Sequence, residues 1–104
     1  MTMSATPASA LAVTTRLATV DDLDDVTAMM RKFYAHFGYA FREPGASAAP
    51  SQRDLIERFV TTPHLGSFWL IEVDGAPAGY AALTYGFSFE FGGRDAFVDE
   101  LFVD

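Results

Sequence analysis

The apolar residues of this chain change their spacing near Ser67. Before it, two stretches carry apolar residues at intervals of three or four; after it they alternate or run on continuously. An interval near 3.6 marks a helix with one buried stripe, and an interval of two, or a short unbroken apolar run, marks a strand. A chain with helices in its first part and neighbouring strands in its last must lay those helices on one sheet, which is the α+β class. With 104 residues there is room for one small domain. Half of the residues are apolar, and 10 Phe and 4 Tyr supply bulk for a core.

Local signals divide the chain further. Met1 to Val13 is Ala, Ser, Thr and Pro without periodicity and reads as a disordered leader, leaving residues 14–104 as the domain. Thr14 to Ala18 is a short β-prone piece. Thr19 reads as a helix N-cap with Asp22 in the capping-box position, and Asp21, Asp24 and Asp25 add negative charge where a helix dipole favours it. Leu23, Val26, Met30, Phe33 and Phe37 form one stripe, and Gly38 is a natural stop. Tyr39 to Pro50 is a loop. Ser51 caps a second helix lined by Leu55, Ile56, Phe59 and Val60, which Pro63 and Gly66 end. Ser67 to Val73, Ala78 to Phe89 and Asp95 to Val103 read as strands, joined at Asp74-Gly75 and at Gly92-Gly93. The expected order is β-α-α-β-β-β, ending in an antiparallel meander.

Several chemistries are excluded. Cysteine is absent, so there is no disulfide, thiolate nucleophile or Cys-ligated metal. Two His residues, His36 and His64, do not make a metal site, and none is expected. A net charge of −7 argues against a nucleic-acid partner. No stretch has the length of a membrane helix and no basic n-region precedes an apolar run, so a cytoplasmic protein is the expectation. There is no nucleophile elbow, Walker loop or dinucleotide fingerprint.

One constellation carries chemistry. Asp99 and Glu100 interrupt the apolar run from Ala96 to Val103. In a regular strand Asp99 would share a face with Phe97, Leu101 and Val103, and Glu100 with Val98 and Phe102. A carboxylate facing an apolar environment is disposed to act as a general base. The bland alternative is a half-exposed strand with one carboxylate in water and the other paired to Arg.

The element order, the hairpin Val73-Asp74-Gly75-Ala76-Pro77-Ala78-Gly79-Tyr80, the ending Val98-Asp99-Glu100-Leu101-Phe102-Val103-Asp104 and the opening Thr15 to Asp22 together resemble the N-terminal half of the GCN5-related N-acetyltransferases (GNAT), over about residues 14–104. The resemblance implies acetyl transfer from acetyl-CoA, as co-substrate, to a primary amine of a small molecule or peptide. It implies that the strand ending Leu101-Phe102-Val103 lines the acetyl site through its backbone, and that Asp99 or Glu100 is the general base. It places Tyr39 and Phe41 beside the acceptor, with Tyr85 and Glu90 as further candidates; packing aromatics over the sheet are the alternative for Tyr39 and Phe41. The net charge favours a cationic acceptor such as a polyamine or another amine-bearing small molecule. The family's pyrophosphate-binding Gly-rich loop would begin just beyond Asp104. A fragment inactive by itself, completed by a C-terminal half or by homo-oligomerisation, is therefore expected. The second reading is a non-catalytic α+β association module that pairs through its exposed last strand.

Overall fold

Thr19 turns the chain from strand into helix. Its hydroxyl accepts the Asp21 N–H, and the Asp22 carboxylate accepts the Thr19 N–H at 2.8 Å, closing a capping box around a short 3-10 turn at Val20–Asp22. The computed structural model describes residues 11–104. Strand β1 spans Val13–Leu17 and precedes this turn, and helix α1 spans Leu23–Phe37 after it. Gly38 ends α1 in the left-handed region at φ 72°, which a residue with a Cβ adopts only at a cost. A second capping box, Ser51 with Asp54, opens helix α2 at Gln52–Val60. Strands β2 (Gly66–Val73), β3 (Ala76–Ser88) and β4 (Gly93–Val103) follow.

The four strands form one antiparallel sheet in the order β1-β2-β3-β4. Asp74 and Gly75 both have positive φ, 52° and 82°, as the tight hairpin between β2 and β3 requires. The expected fold class is therefore the observed one. Several boundaries differ: β3 spans Ala76–Ser88 rather than Ala78 to Phe89, and β4 begins at Gly93 rather than Asp95. Gly66 belongs to β2 rather than to the end of the second helix: a Cβ there would collide with the Leu83 carbonyl oxygen on the neighbouring strand. Residues 1–10 of the expected leader lie outside the described residues, whereas Val13 already pairs with Val73. Phe37, the last member of the α1 stripe, is exposed, and its ring packs on Phe33 and Tyr39.

The core lies between the helices and one face of the sheet. Leu23, Val26, Met29 and Met30 of α1 and Ile56 of α2 cover Phe68, Leu70, Tyr80 and Ala82. Leu70 and Tyr80 have no exposed surface. Each fully buried side chain of that size contributes about 1.5–3 kcal/mol. The opposite face carries Trp69, Ile71 and Leu83 half-buried and Leu17, Val98, Leu101 and Val103 exposed.

Arg16 locks the β1–α1 junction. Its guanidinium donates two hydrogen bonds to the Asp22 carboxylate, at 2.9 and 2.8 Å, and lies 3.4 Å from Glu72. The Arg16 hydrogen bonds hold the buried Asp22 carboxyl below the usual carboxylate range, aided by the Thr19 N–H. Asp22→Ala is expected to lower stability by about 2 kcal/mol at neutral pH, because three charge-assisted bonds are lost together. The folded-state value is depressed, so this contribution is complete above the ordinary carboxylate value and is lost as pH falls through the folded one. Denaturant melts of both proteins from pH 7 to pH 2 check this, and the difference between them should close in acid.

Candidate active site

Strand β4 is one residue too long for its partner. Leu83 pairs with Val98 and Ala82 pairs with Glu100, so Asp99 has no opposite number and forms a β-bulge. The bulge overturns the regular alternation expected from the sequence. Glu100 lies in the Ala82 row, facing the helices, while Val98 lies in the Leu83 row on the open face. Phe102 stays with Glu100 through its pairing with Tyr80. Asp99 leaves the company of Leu101 and comes to the helix side, so both carboxylates border one cavity. A chain without the extra residue would send neighbouring carboxylates to opposite faces.

That cavity measures about 210 Å3 and opens between α1, α2 and the sheet. Met30, Ile56, Phe59, Phe68 and Ala82 form its apolar walls. Asp99 and Glu100 are its only formally charged lining residues.

The two carboxylates differ in their surroundings. Glu100 is half-buried and both of its oxygens are engaged: Tyr80 Oη donates to Oε1 at 2.8 Å, and Tyr34 Oη donates to Oε2 at 2.9 Å. Burial is the main cause that pushes the Tyr34 phenol up to about 12, and its bond to the Glu100 carboxylate adds to it. The same two causes push Tyr80 further in the same direction. Asp99 is exposed at the cavity and has no hydrogen-bond partner among the described residues. Gln52 also reaches the cavity; its side-chain oxygen accepts from the Arg42 N–H, which ties the long loop to α2.

The end of β4 offers backbone groups. The Asp104 N–H donates to the Ala78 oxygen at 2.8 Å, which makes these two a hydrogen-bonded pair. Such pairs alternate along an antiparallel ladder. Phe102 is thus engaged with Tyr80, while Leu101 and Val103 turn their N–H and C=O toward the free edge of the described sheet. Of the three residues expected to line an acetyl site through their backbone, the geometry leaves Leu101 and Val103 available and commits Phe102 to the sheet.

The expected acceptor residues are not brought together. Tyr39 stacks on Phe37 with centroids 5.7 Å apart, and Phe41 packs against Tyr34 beneath the Arg31 guanidinium. Neither lines the cavity. Tyr85 lies outside it too, with the Arg94 guanidinium 4.8 Å from its ring. Glu90 is exposed in the turn at the far end of β4. Tyr34, Tyr80 and Gln52 were absent from the sequence-based candidates. The signal for Tyr34 is its place one helical turn after Met30, and for Tyr80 its place two residues before Ala82. Among the described residues no three His, Asp or Glu side chains gather into a metal-binding group, and no helix is long and apolar enough to cross a membrane.

No protein-family model matches the chain, and no curated protein matches it. Solved structures do. An integron cassette protein from the mobile metagenome of Cole Harbour Salt Marsh is 34% identical, with a TM-score of 0.74 over 86% of this chain and 55% of its own. A possible acetyltransferase from Clostridium difficile 630 is 15% identical, with a TM-score of 0.68 over 88% of this chain and 57% of its own. A putative acetyltransferase from Arthrobacter sp. FB24 is 25% identical, with a TM-score of 0.62 over 88% of this chain and 53% of its own. The chain spans about half the length of these structures.

Tyr34→Phe and Tyr80→Phe each remove one donor from Glu100 and are expected to cost about 1–2 kcal/mol. Both phenols are raised in the folded state, so their stabilising contribution is present below the unfolded value and is lost as pH rises through the folded one. Denaturant melts from pH 8 to pH 12 should therefore show an alkaline loss of stability that is shallower in either variant. In its fold, the chain matches the N-terminal half of the GNAT acetyltransferases.

Proposed function

We propose that this chain carries the acyl-acceptor side of an N-acetyltransferase that moves the acetyl group of acetyl-CoA to a primary amine. The observation that supports it is one of placement. The bulge sets a free carboxylate, Asp99, on an apolar cavity, and Leu101 and Val103 then turn backbone groups to a free edge on the same strand. In the proposed reaction the Asp99 carboxylate takes a proton from the ammonium group. The freed nitrogen attacks the thioester carbonyl carbon, and an outward N–H of β4 supports the negative charge that develops on its oxygen. The C–S bond breaks, the thiolate leaves with the pair of electrons, and it takes up the second proton that the nitrogen sheds as the neutral amide forms. Glu100, with both oxygens engaged by tyrosines, is a positioning residue that fixes the bulge rather than the base.

The pantetheine end of the donor is tested without the nucleotide. S-acetyl-N-acetylcysteamine, a thioester with one amide arm, is added to the isotopically labelled chain. Amide shifts concentrated at Leu101 and Val103 are expected. Shifts that avoid the end of β4 would sink the assignment.

A second reading rests on the open face. Val98, Leu101 and Val103 are 63%, 58% and 69% exposed along a free strand edge, which is a surface for pairing with another strand. Association through β4 predicts a dimer or larger assembly at high concentration. Light scattering checks it, and a clean monomer would count against it.

A further inference from the structure

The cavity beside Asp99 restricts which amine can occupy it. An apolar cavity of about 150 Å3 holds one benzene molecule. The 210 Å3 found here therefore accepts a single aromatic ring and about two further heavy atoms, with the ammonium of a two-carbon tether at its open mouth. Ile56 and Phe59 on α2 face Phe68 and Ala82 of the sheet across this space, and negative charge enters it only from Asp99 and Glu100. The two carboxylates are neighbours on β4, so the negative charge is gathered at one place and an ammonium group several carbons away from it has no counter-charge. A polyamine lying along this space would press its remaining charges against apolar walls, where an unpaired charge is costly. An amino sugar would find polar partners at Tyr34, Gln52, Thr84 and the two carboxylates, and its remaining hydroxyls would face apolar walls. The net charge of −7 draws in any cation, so the walls, and not the overall field, discriminate.

From this shape and charge we infer that the acceptor is a small arylalkyl primary amine, one ring on a one- or two-carbon tether, bound with its ammonium at Asp99 and its ring between Ile56 and Phe68. The inference rests on the acyl-transfer reading only for what happens to the amine; binding itself does not require it. Leu55, at the cavity and partly exposed on α2, is the position where added bulk closes the space with least disturbance of the core.

The test is calorimetric titration of the full chain with 2-phenylethylamine and with spermidine at the same ionic strength. Phenylethylamine should bind at least 10-fold more tightly. Leu55→Trp, from the helix side, and Ala82→Leu, from the sheet side, should each weaken it at least 10-fold. Circular dichroism melts identify the variant that keeps its fold, and one such variant suffices. Equal affinity for spermidine, or a folded variant that binds phenylethylamine as the parent does, would overturn the inference. Failure of the two readings is separable. Selective binding of phenylethylamine, with thioester-induced shifts that avoid the end of β4, would overturn acyl transfer and leave the amine site standing. Thioester-induced shifts at Leu101 and Val103, with equal affinity for spermidine, would do the reverse.

Discussion

Glu100 is the point at which three elements are tied together. Tyr34 comes to it from α1, Tyr80 from β3, and the carboxylate itself belongs to β4. A half-buried carboxylate is costly unless its oxygens are satisfied, and here each accepts from one phenol. This arrangement holds α1 at a fixed distance from the sheet and holds the register of β4 just beside its bulge. Tyr34 and Glu100 also line the cavity, so this contact forms part of its wall. Lys32 reaches the end of the same strand, 2.8 Å from the Asp104 carboxylate, and Arg53 of α2 meets Asp24 of α1. Both ion pairs are exposed and add little energy, but they run in the same direction as the buried contact.

The helices, the Thr19–Asp22 capping box, the Ser51 cap, the Asp74-Gly75 hairpin and the order of elements were legible in the sequence, because each follows from local chemistry over a few residues. The bulge was not. Nothing in Val98-Asp99-Glu100 announces an unpaired residue, since the mismatch arises only when β4 is laid against β3. Sequence alternation therefore put the two carboxylates on opposite faces, where the structure gathers them. The phenol partners were missed for a related reason. Tyr34 and Tyr80 are separated from Glu100 by 66 and 20 residues, distances over which periodicity carries no information. For Tyr39 and Phe41 the sequence left two readings, acceptor contacts or packing aromatics, and their rings do pack on α1 aromatics.

The two faces of the sheet have separate tasks. The helix face builds the core and the cavity, and its residues are apolar for both purposes. The open face has Leu17, Val98, Leu101 and Val103 in contact with water, an apolar composition that single scattered residues would not require. The edge of β4 lies between these faces, so whatever covers the open side also passes the backbone groups of Leu101 and Val103.

The hairpin turn has a consequence for the order in which the sheet comes together. Asp74 does more than reverse the chain: its N–H donates to the Ala12 oxygen at 2.8 Å and its carboxylate accepts the Ala12 N–H at 3.0 Å. β2, β3 and β4 meet through short turns and close small loops, while β1 must return across both helices to find β2. Loops of that span close later than hairpins. The meander is thus the template and β1 the last strand to dock, guided to its register by a turn that has already formed. It is also the first to leave, so amide hydrogens from Val13 to Leu17 exchange by local opening while those of β3 wait for the whole sheet to unfold.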